Sequence, residues 1–427
     1  MRLALVGAGS AVFSRTLVQD LLLSALEGVE LLLVDPDEGR LGPVLRWAQA
    51  LLARFPQKGF SVRPASLREA LEKAEAAVLV ADVGGEEAIW KDYEIPLRYG
   101  VDQSIGDTLG PGGLMKLLRL HGLLEEVAAG FGGSLLLNYM NPLSATTAYL
   151  LSRGHRAVGL CHSVSETAKT LAGYLGVPPE GLAYRALGVN HLSFFVELRF
   201  GEEDLYPRLK ALAQDPAFWD RDPVRFEVLR VFGLFPSESS GHVSEYLPYF
   251  RKRPEVLARY ARPGYGGESG FYARNHGRWV EEARRQVGLP EALRRSGEYA
   301  SLLLEAFYGG EEARVYATLP NRGHVPELLP FVVEVPVRVR RESLEAEGGS
   351  LPPGPAALAR RAQEVHQLWV QGLLEESPEA LLQGLALDPL TGAVLDLRGV
   401  EALFRELASA HGDLMPVFLR RWLRDAS

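Results

Sequence analysis

Leu3-Ala4-Leu5-Val6-Gly7-Ala8-Gly9-Ser10 stands at the head of the chain, and its reading decides the fold. The first four residues are an apolar run of the kind that forms a fully buried strand. Gly7-Ala8-Gly9-Ser10 reads as a turn, and Leu17, Leu21 and Leu22 then recur at helical spacing. Strand, glycine turn and helix in that order make the context of a dinucleotide-binding turn. The glycines let the backbone approach a pyrophosphate, and the helix N-terminus attracts its charge. Val12 occupies the place of a third glycine, so helix and strand pack differently there. The next strand, Glu30-Leu31-Leu32-Leu33-Val34, ends in Asp35. An acid at that place accepts hydrogen bonds from an adenosine ribose and repels a 2′-phosphate, which favours NAD over NADP. The alternative is that Asp35, with Pro36 and Asp37 behind it, only caps the following helix.

Working outward, the αβ alternation continues. Leu41 to Phe55 and Leu67 to Lys73 read as helices, and Phe60 to Arg63, Ala76 to Ala81 and Ser134 to Leu137 as strands. The fold class is therefore α/β, a Rossmann-like dinucleotide domain over residues 1–160, with a mixed α/β domain over 161–427. Glu86 to Thr108 leaves a central strand as a long stretch of the sort that supplies binding loops. It runs into Gly106-Asp107-Thr108 and Gly110-Pro111-Gly112-Gly113. Asp107 either contacts a sugar hydroxyl or caps the helix expected near Gly112. Asn138-Tyr139-Met140-Asn141-Pro142 follows another strand, and its asparagines suit hydroxyls or a nicotinamide amide, or else make an Asx turn.

The chain has 427 residues, 47% apolar and 23% charged, with a net charge of −8. That balance argues against nucleic acid or an anionic membrane as partner. One cysteine excludes an internal disulfide and suits a reducing compartment. With no signal-peptide layout and no apolar run of membrane-spanning length, the expectation is a cytoplasmic protein.

That cysteine sits in Gly159-Leu160-Cys161-His162-Ser163, after a short apolar run and before a helical pattern. A helix N-terminus would lower its thiol pKa and favour the thiolate. A second strand ends in Gly188-Val189-Asn190-His191, and the two segments could together offer a thiolate and an imidazole to one divalent ion. The alternative for Cys161 is a small buried apolar residue.

Taken together these blocks resemble the signatures of family-4 glycoside hydrolases: Gly7-Ala8-Gly9-Ser10 with Phe13, Asn138 to Pro142, Gly159 to Ser163, and Gly188 to His191. Gly106-Asp107-Thr108 with its glycine run resembles the bacterial α-galactosidase branch. So does Phe232 to Ser240 with His242 and Ser244-Glu245-Tyr246. The resemblance implies a soluble homodimer or homotetramer that uses NAD and a divalent metal, usually Mn²⁺, outside the two-carboxylate scheme of most glycosidases. It implies hydrolysis of an α-galactoside by oxidation at C3, deprotonation at C2, elimination of the aglycone, water addition and re-reduction. Oxidation makes the C2 proton acidic, and a Lewis acid stabilises the resulting enediolate.

The implied metal ligands are Cys161 and His191. Gly7, Ala8, Gly9, Ser10, Phe13, Asp35 and Asn138 would hold the cofactor, and Asp107, Asn141 and Asn190 the sugar. Tyr246 aligns with the base, through a phenol that a nearby cation would make more acidic. His162, Glu238 and His242 are rivals for the acid that protonates the leaving group. Related branches act on α-glucosides or α-glucuronides and galacturonides. A different class also shares the nucleotide domain: an NAD-dependent 2-hydroxy-acid dehydrogenase, which would need no metal. His155, His276, His324 and His366 have no partner that the sequence identifies.

Overall fold

The structure is a computed structural model that describes residues 1–285 and 288–425. Thirteen strands form one sheet among these residues. The first six are β1 (Arg2–Val6), β2 (Glu30–Val34), β3 (Ser61–Pro64), β4 (Ala76–Leu79), β5 (Leu135–Asn138) and β6 (Ala157–Leu160). They lie parallel in the order β3-β2-β1-β4-β5-β6. The order reverses between β1 and β4, and a doubly wound sheet opens a ligand crevice at such a point. Every residue of β4, β5 and β6 is buried, although successive side chains point to opposite faces. Helices therefore cover both faces of this half, which is why its strands read as unbroken apolar runs.

The other strands are β7 (Leu182–Val189), β8 (Leu192–Phe200), β9 (Glu203–Asp204), β10 (Phe235–Pro236), β11 (Ala313–Pro320), β12 (Val332–Arg340) and β13 (Ser343–Ala346). They extend the same sheet with antiparallel pairing, in the order β6-β11-β12-β7-β8-β10. β6 is the seam: it runs parallel to β5 and antiparallel to β11, where Leu160 faces Ala317 and Gly159 faces Thr318. Cys161 follows the last residue of that seam strand. β7 and β8 form a hairpin, and His191 sits in its two-residue turn, Asn190-His191.

Several elements differ from the sequence reading. Helix Gly85–Arg98 takes up the first part of the Glu86 to Thr108 stretch, so the loop proper is residues 99–109. The glycine run after Asp107 is the first turn of helix Gly110–Gly130 rather than a loop before it. A Cβ on Gly112 would lie 2.3 Å from the Gly106 carbonyl oxygen, so the glycines let this helix start against the 106–108 loop. The sequence also reads Gly277 to Val287 as a helix; the helix starts earlier and spans Phe271–Arg285, while Val287 lies outside the described residues. The sequence reads Gly348 to Pro355 as an exposed loop, but Leu351 is buried and helix Pro353–Leu374 begins within it. No helix of the described residues is long and apolar enough to cross a membrane.

Candidate active site at the seam of the sheet

A cavity of about 990 Å³ opens over the reversal of strand order. It is lined by the residues that leave β1 (Gly7, Gly9, Ser10), β2 (Asp35), β4 (Ala81, Asp82) and β5 (Met140, Asn141). Gly7 has φ +92, and a Cβ there would lie 2.6 Å from the Ala81 backbone nitrogen, so the turn needs glycine on both counts. Ser10 takes the N-cap position of helix Ala11–Leu23 without a side-chain cap, leaving that helix end open to the cavity. Asp35 accepts a hydrogen bond from Gly9 N at 2.8 Å through Oδ2 and from Asp37 N at 3.0 Å through Oδ1. Asp37, not Asp35, caps the next helix. Helix Phe271–Arg285 supplies the outer wall with His276, Trp279 and Arg284.

Three residues assigned to the cofactor do not line the cavity. Ala8 is wholly buried. Phe13 packs edge-on against Tyr139, with ring centroids 4.7 Å apart. Asn138 is buried, donates to Thr146 Oγ1 and Thr147 Oγ1 and accepts from Met140 N, so its amide shapes the turn into Asn141.

The inner end of the cavity is Asp107 and Asn141, joined by Asn141 Nδ2 donating to Asp107 Oδ2 at 2.8 Å. Behind Asp107 the second centre begins. Thr108 Oγ1 donates to Asp107 Oδ1 at 2.9 Å and lies 2.8 Å from His191 Nδ1. Since that hydroxyl proton is used, its oxygen accepts from His191 Nδ1–H, and the Nε2 lone pair is left free for a metal. Nε2 lies 3.4 Å from Cys161 Sγ and 3.6 Å from Glu238 Oε2. Thiolate, imidazole and carboxylate are a donor set that fits a divalent transition ion. The Tyr246 hydroxyl is 3.4 Å from His191 Nδ1, with the two rings stacked. His242 sits over the same imidazole, 3.3 Å from Glu238 Oε1 and 3.8 Å from Asp107 Oδ1. The structure thus brings Asp107, Asn141, Cys161, His191, Glu238, His242 and Tyr246 together.

His162 and Asn190 stand at the margin of this group. His162 is the N-cap residue of helix Ser163–Leu175 and pairs through Nδ1 with Glu298 Oε1 at 2.9 Å. Asn190 donates to Glu334 Oε1, and its own Oδ1 has no hydrogen-bond partner among the described residues.

Electrostatics separate these groups. Burial, then the Glu238 and Glu334 carboxylates, push the Cys161 thiol up to about 12. Desolvation and the two carboxylates thus outweigh the lowering expected from the helix N-terminus. A thiol so placed gives up its proton to a cation rather than to water. Burial also pushes the Tyr246 phenol well above its ordinary value, with Asp107, Glu245 and Glu238 adding to it. Burial alone would raise Glu238, but His242 above all holds it well below the usual carboxylate range. The Glu298 hydrogen bond raises His162 to about 9, so it carries a proton at neutral pH.

Sequence reasoning assigns no role to Glu245, His366, Glu298 or Thr108. Glu245 accepts from the backbone N–H groups of Ser104, Ile105 and Gly106, which pins the Asp107 loop to helix Ser240–Tyr246. His366 Nε2 donates to the Thr108 carbonyl at 2.8 Å. Thr108 stands inside the Gly106-Asp107-Thr108 block and Glu298 inside Glu298-Tyr299-Ala300, which also resembles a family block, but their contacts span 83 and 136 residues (191 − 108 and 298 − 162).

The fold and the site define a class: a dinucleotide-fold protein whose nucleotide crevice ends at a cysteine–histidine centre suited to a metal. Comparison with known proteins narrows the class. The family described as "Family 4 glycosyl hydrolase" matches residues 2–177, and its C-terminal domain matches residues 186–391. The chain belongs to glycoside hydrolase family 4. It is 31% identical to an α-galactosidase of Rhizobium meliloti (98% of this chain, 89% of the relative) and 31% identical to one of Bacillus subtilis (98% and 99%). In structure it is similar to a putative glucosidase of Bacillus subtilis, with TM-score 0.82, 24% identity and coverage of 95% and 99%. A 6-phospho-β-glucosidase of Thermotoga maritima, solved with manganese, NAD⁺ and glucose-6-phosphate, gives TM-score 0.79 at 20% identity, covering 97% and 99%. A lactate dehydrogenase shares the fold more distantly, at TM-score 0.52 and 12% identity, over 87% of this chain and 98% of its own. The chain is a glycoside hydrolase with α-galactosidase relatives, and the α/β fold expected from the sequence is the fold observed.

Proposed function

We propose that this protein is an NAD- and divalent-metal-dependent α-galactosidase. The observation that carries this reading is the convergence on His191. Cys161 and Glu238 stand at its Nε2, Tyr246 and Thr108 at its Nδ1, and Asp107 joins the group to the nucleotide cavity. When bound, the dinucleotide supplies reversible oxidation at the sugar C3, and the metal supplies Lewis acidity for the negative charge that follows deprotonation.

The chain's own residues do the rest. Gly7, Gly9 and the open helix end at Ser10 receive the pyrophosphate, and Asp35 receives the ribose hydroxyls. Asp107 and Asn141 orient the sugar between the two centres, and the Thr108 hydroxyl fixes the tautomer of His191. Tyr246 removes the C2 proton, with cationic charge at Cys161 and His191 offsetting the upward push of burial on the phenol. His162, protonated at neutral pH, protonates the leaving oxygen. Glu238 stays ionised and is poorly suited to that step. Residues 1–160 carry the dinucleotide turn, with helix Phe271–Arg285 walling it from outside, and residues 161–427 carry most of the metal site.

The 31% identical α-galactosidases support a neutral sugar, and so does Lys116. This buried cation lines the cavity beside Asp107 but is paired with Asp82 at 3.1 Å. Its charge is therefore taken up by Asp82 rather than offered to a uronate or a phosphate beside Asp107.

The test is release of nitrophenol from p-nitrophenyl α-galactoside, with and without NAD⁺, Mn²⁺ and a thiol reductant, beside the α-glucoside and α-galacturonide. Turnover that needs NAD⁺ and Mn²⁺ and accumulates no NADH is expected. Turnover by protein stripped of both would overturn the reading. Net NADH from a hydroxy acid with no glycoside cleaved would make the protein a dehydrogenase.

A further inference from the structure

We propose that Glu238 is a third protein ligand of the metal, so that the site is a Cys161–His191–Glu238 triad rather than a cysteine–histidine pair. The inference rests on the metal reading given above and goes beyond it.

Three electron-rich atoms face one another: Cys161 Sγ, His191 Nε2 and Glu238 Oε2, all within 4.8 Å of each other. The Thr108–Asp107 chain engages the imidazole at Nδ1, which leaves Nε2 facing the sulfur and the carboxylate. Among the described residues, Glu238 Oε2 has no hydrogen-bond donor, and its nearest ionic neighbour is His191 Nε2 at 3.6 Å. Its other oxygen is already engaged, by Ser239 N at 2.9 Å and by His242 Nδ1 at 3.3 Å. A carboxylate with one oxygen held by protein donors and the other turned to a lone pair and a sulfur is arranged as a ligating carboxylate is. Donor atoms bound to one ion at about 2.0–2.3 Å stand roughly 3–4.5 Å apart, and His191 Nε2 lies 3.4 Å from the sulfur and 3.6 Å from the carboxylate oxygen.

The backbone supports the same assignment. His191 and Glu238 have φ of 67 and 72, in the left-handed region that side chains rarely adopt. The other two such non-glycine residues, Glu342 and Glu376, are exposed, whereas His191 is buried and Glu238 nearly so. Both unusual residues are aimed by one piece of sheet. β10 ends two residues before Glu238 and pairs with β8, whose hairpin turn carries His191. Ser237 N donates to Ser193 O at 2.7 Å, and Ser193 N to Ser237 Oγ at 3.1 Å. Arg225, buried and paired with Asp222, fixes the Glu238 carbonyl from behind at 3.0 Å. Charge agrees as well: thiolate plus carboxylate neutralise a divalent ion in a buried site, where a thiolate alone would leave one positive charge uncompensated.

The experiment is titration of the EDTA-stripped, thiol-reduced protein with Co²⁺, read by calorimetry and by visible spectroscopy. The thiolate-to-cobalt band reports Cys161, and the ligand-field bands report the rest of the coordination. In Glu238→Gln the thiolate band is expected to persist, the ligand-field bands to change, and affinity for Co²⁺ and Mn²⁺ to fall more than about tenfold. NAD⁺ affinity should be unchanged. Unaltered ligand-field bands and affinity in Glu238→Gln would overturn the third ligand while leaving the metal reading intact. Absence of a thiolate band in the wild type would overturn both. A crystal structure of the wild-type Co²⁺ complex decides the matter without any variant: Oε2 within about 2.2 Å of the ion supports the triad, and beyond 3 Å removes it.

Discussion

The two ends of the active cleft are built on opposite plans. The nucleotide end is made of backbone: Gly7, Gly9 and an open helix N-terminus, on strands hydrogen-bonded to their neighbours and buried on both faces. The metal end is made of side chains, drawn from the 106–108 loop, the end of β6, the β7–β8 turn and the segment after β10. The first plan needs one local motif. The second needs four segments to arrive together, with Glu245, Arg225, His366 and Thr108 holding them in place. The contrast suggests that the nucleotide end governs affinity and the metal end governs chemistry, and four experiments can break or sharpen that division.

The largest effect is expected at the metal end. Tyr246→Phe should lower kcat by about 10²–10⁴-fold, the usual contribution of a positioned base, while the NAD⁺ Kd stays unchanged. Steady-state kinetics beside fluorescence titration of NAD⁺ measures both, and a weakened NAD⁺ Kd would break the division. Next, His162→Gln should separate substrates by leaving group. Hydrolysis of a galactosyl disaccharide should fall on the order of 10²-fold and that of the nitrophenyl galactoside less than tenfold, because nitrophenolate leaves without a proton. Equal losses on both would remove His162 as the acid.

The third experiment probes the strut between the ends. Burial lowers His366 from 6.5 to about 4, so it is neutral as it donates to Thr108. Between those values the unfolded chain binds the extra proton. Stability from this residue is therefore full above pH 6.5 and is lost as pH falls towards 4, by about 2 kcal/mol at pH 5. Urea unfolding across that range should show the loss, and His366→Gln, which can still donate to Thr108, should flatten it. The smallest effect is at the nucleotide end. Gly7→Ala strains a positive φ, by about 1–2 kcal/mol, and in addition places a Cβ against the Ala81 backbone. NAD⁺ should bind roughly tenfold more weakly, with kcat at saturating NAD⁺ little changed.

The same division explains what the sequence discloses. The nucleotide half is legible because its signals are local: an apolar run, a glycine turn and an acid one strand later. Its fold follows from Leu3 to Asp35 almost alone. At the metal end Cys161 and His191 stand out by residue type, but nothing in the sequence near Thr108 says that its hydroxyl meets an imidazole 83 residues on (191 − 108). Asn138 illustrates the opposite difficulty. Its position at a strand end suits a ligand, yet Thr146 and Thr147 take its amide, and only the packed turn reveals that. The glycines at 110–113 resemble a loop because close approach and chain reversal call for the same residue; the Gly106 carbonyl decides which applies.

The seam strand also has a consequence for biosynthesis. β6 is complete when residue 160 has been made, but the edge it presents is covered by β11, whose partner residue is Ala317. At ~5–20 residues per second, that buried, apolar edge waits on the order of 10–30 s for its partner while the chain is on the ribosome. An unpaired edge is an invitation to intermolecular pairing. Yield of the folded enzyme should therefore depend on elongation rate and on chaperones that shield the nascent nucleotide half.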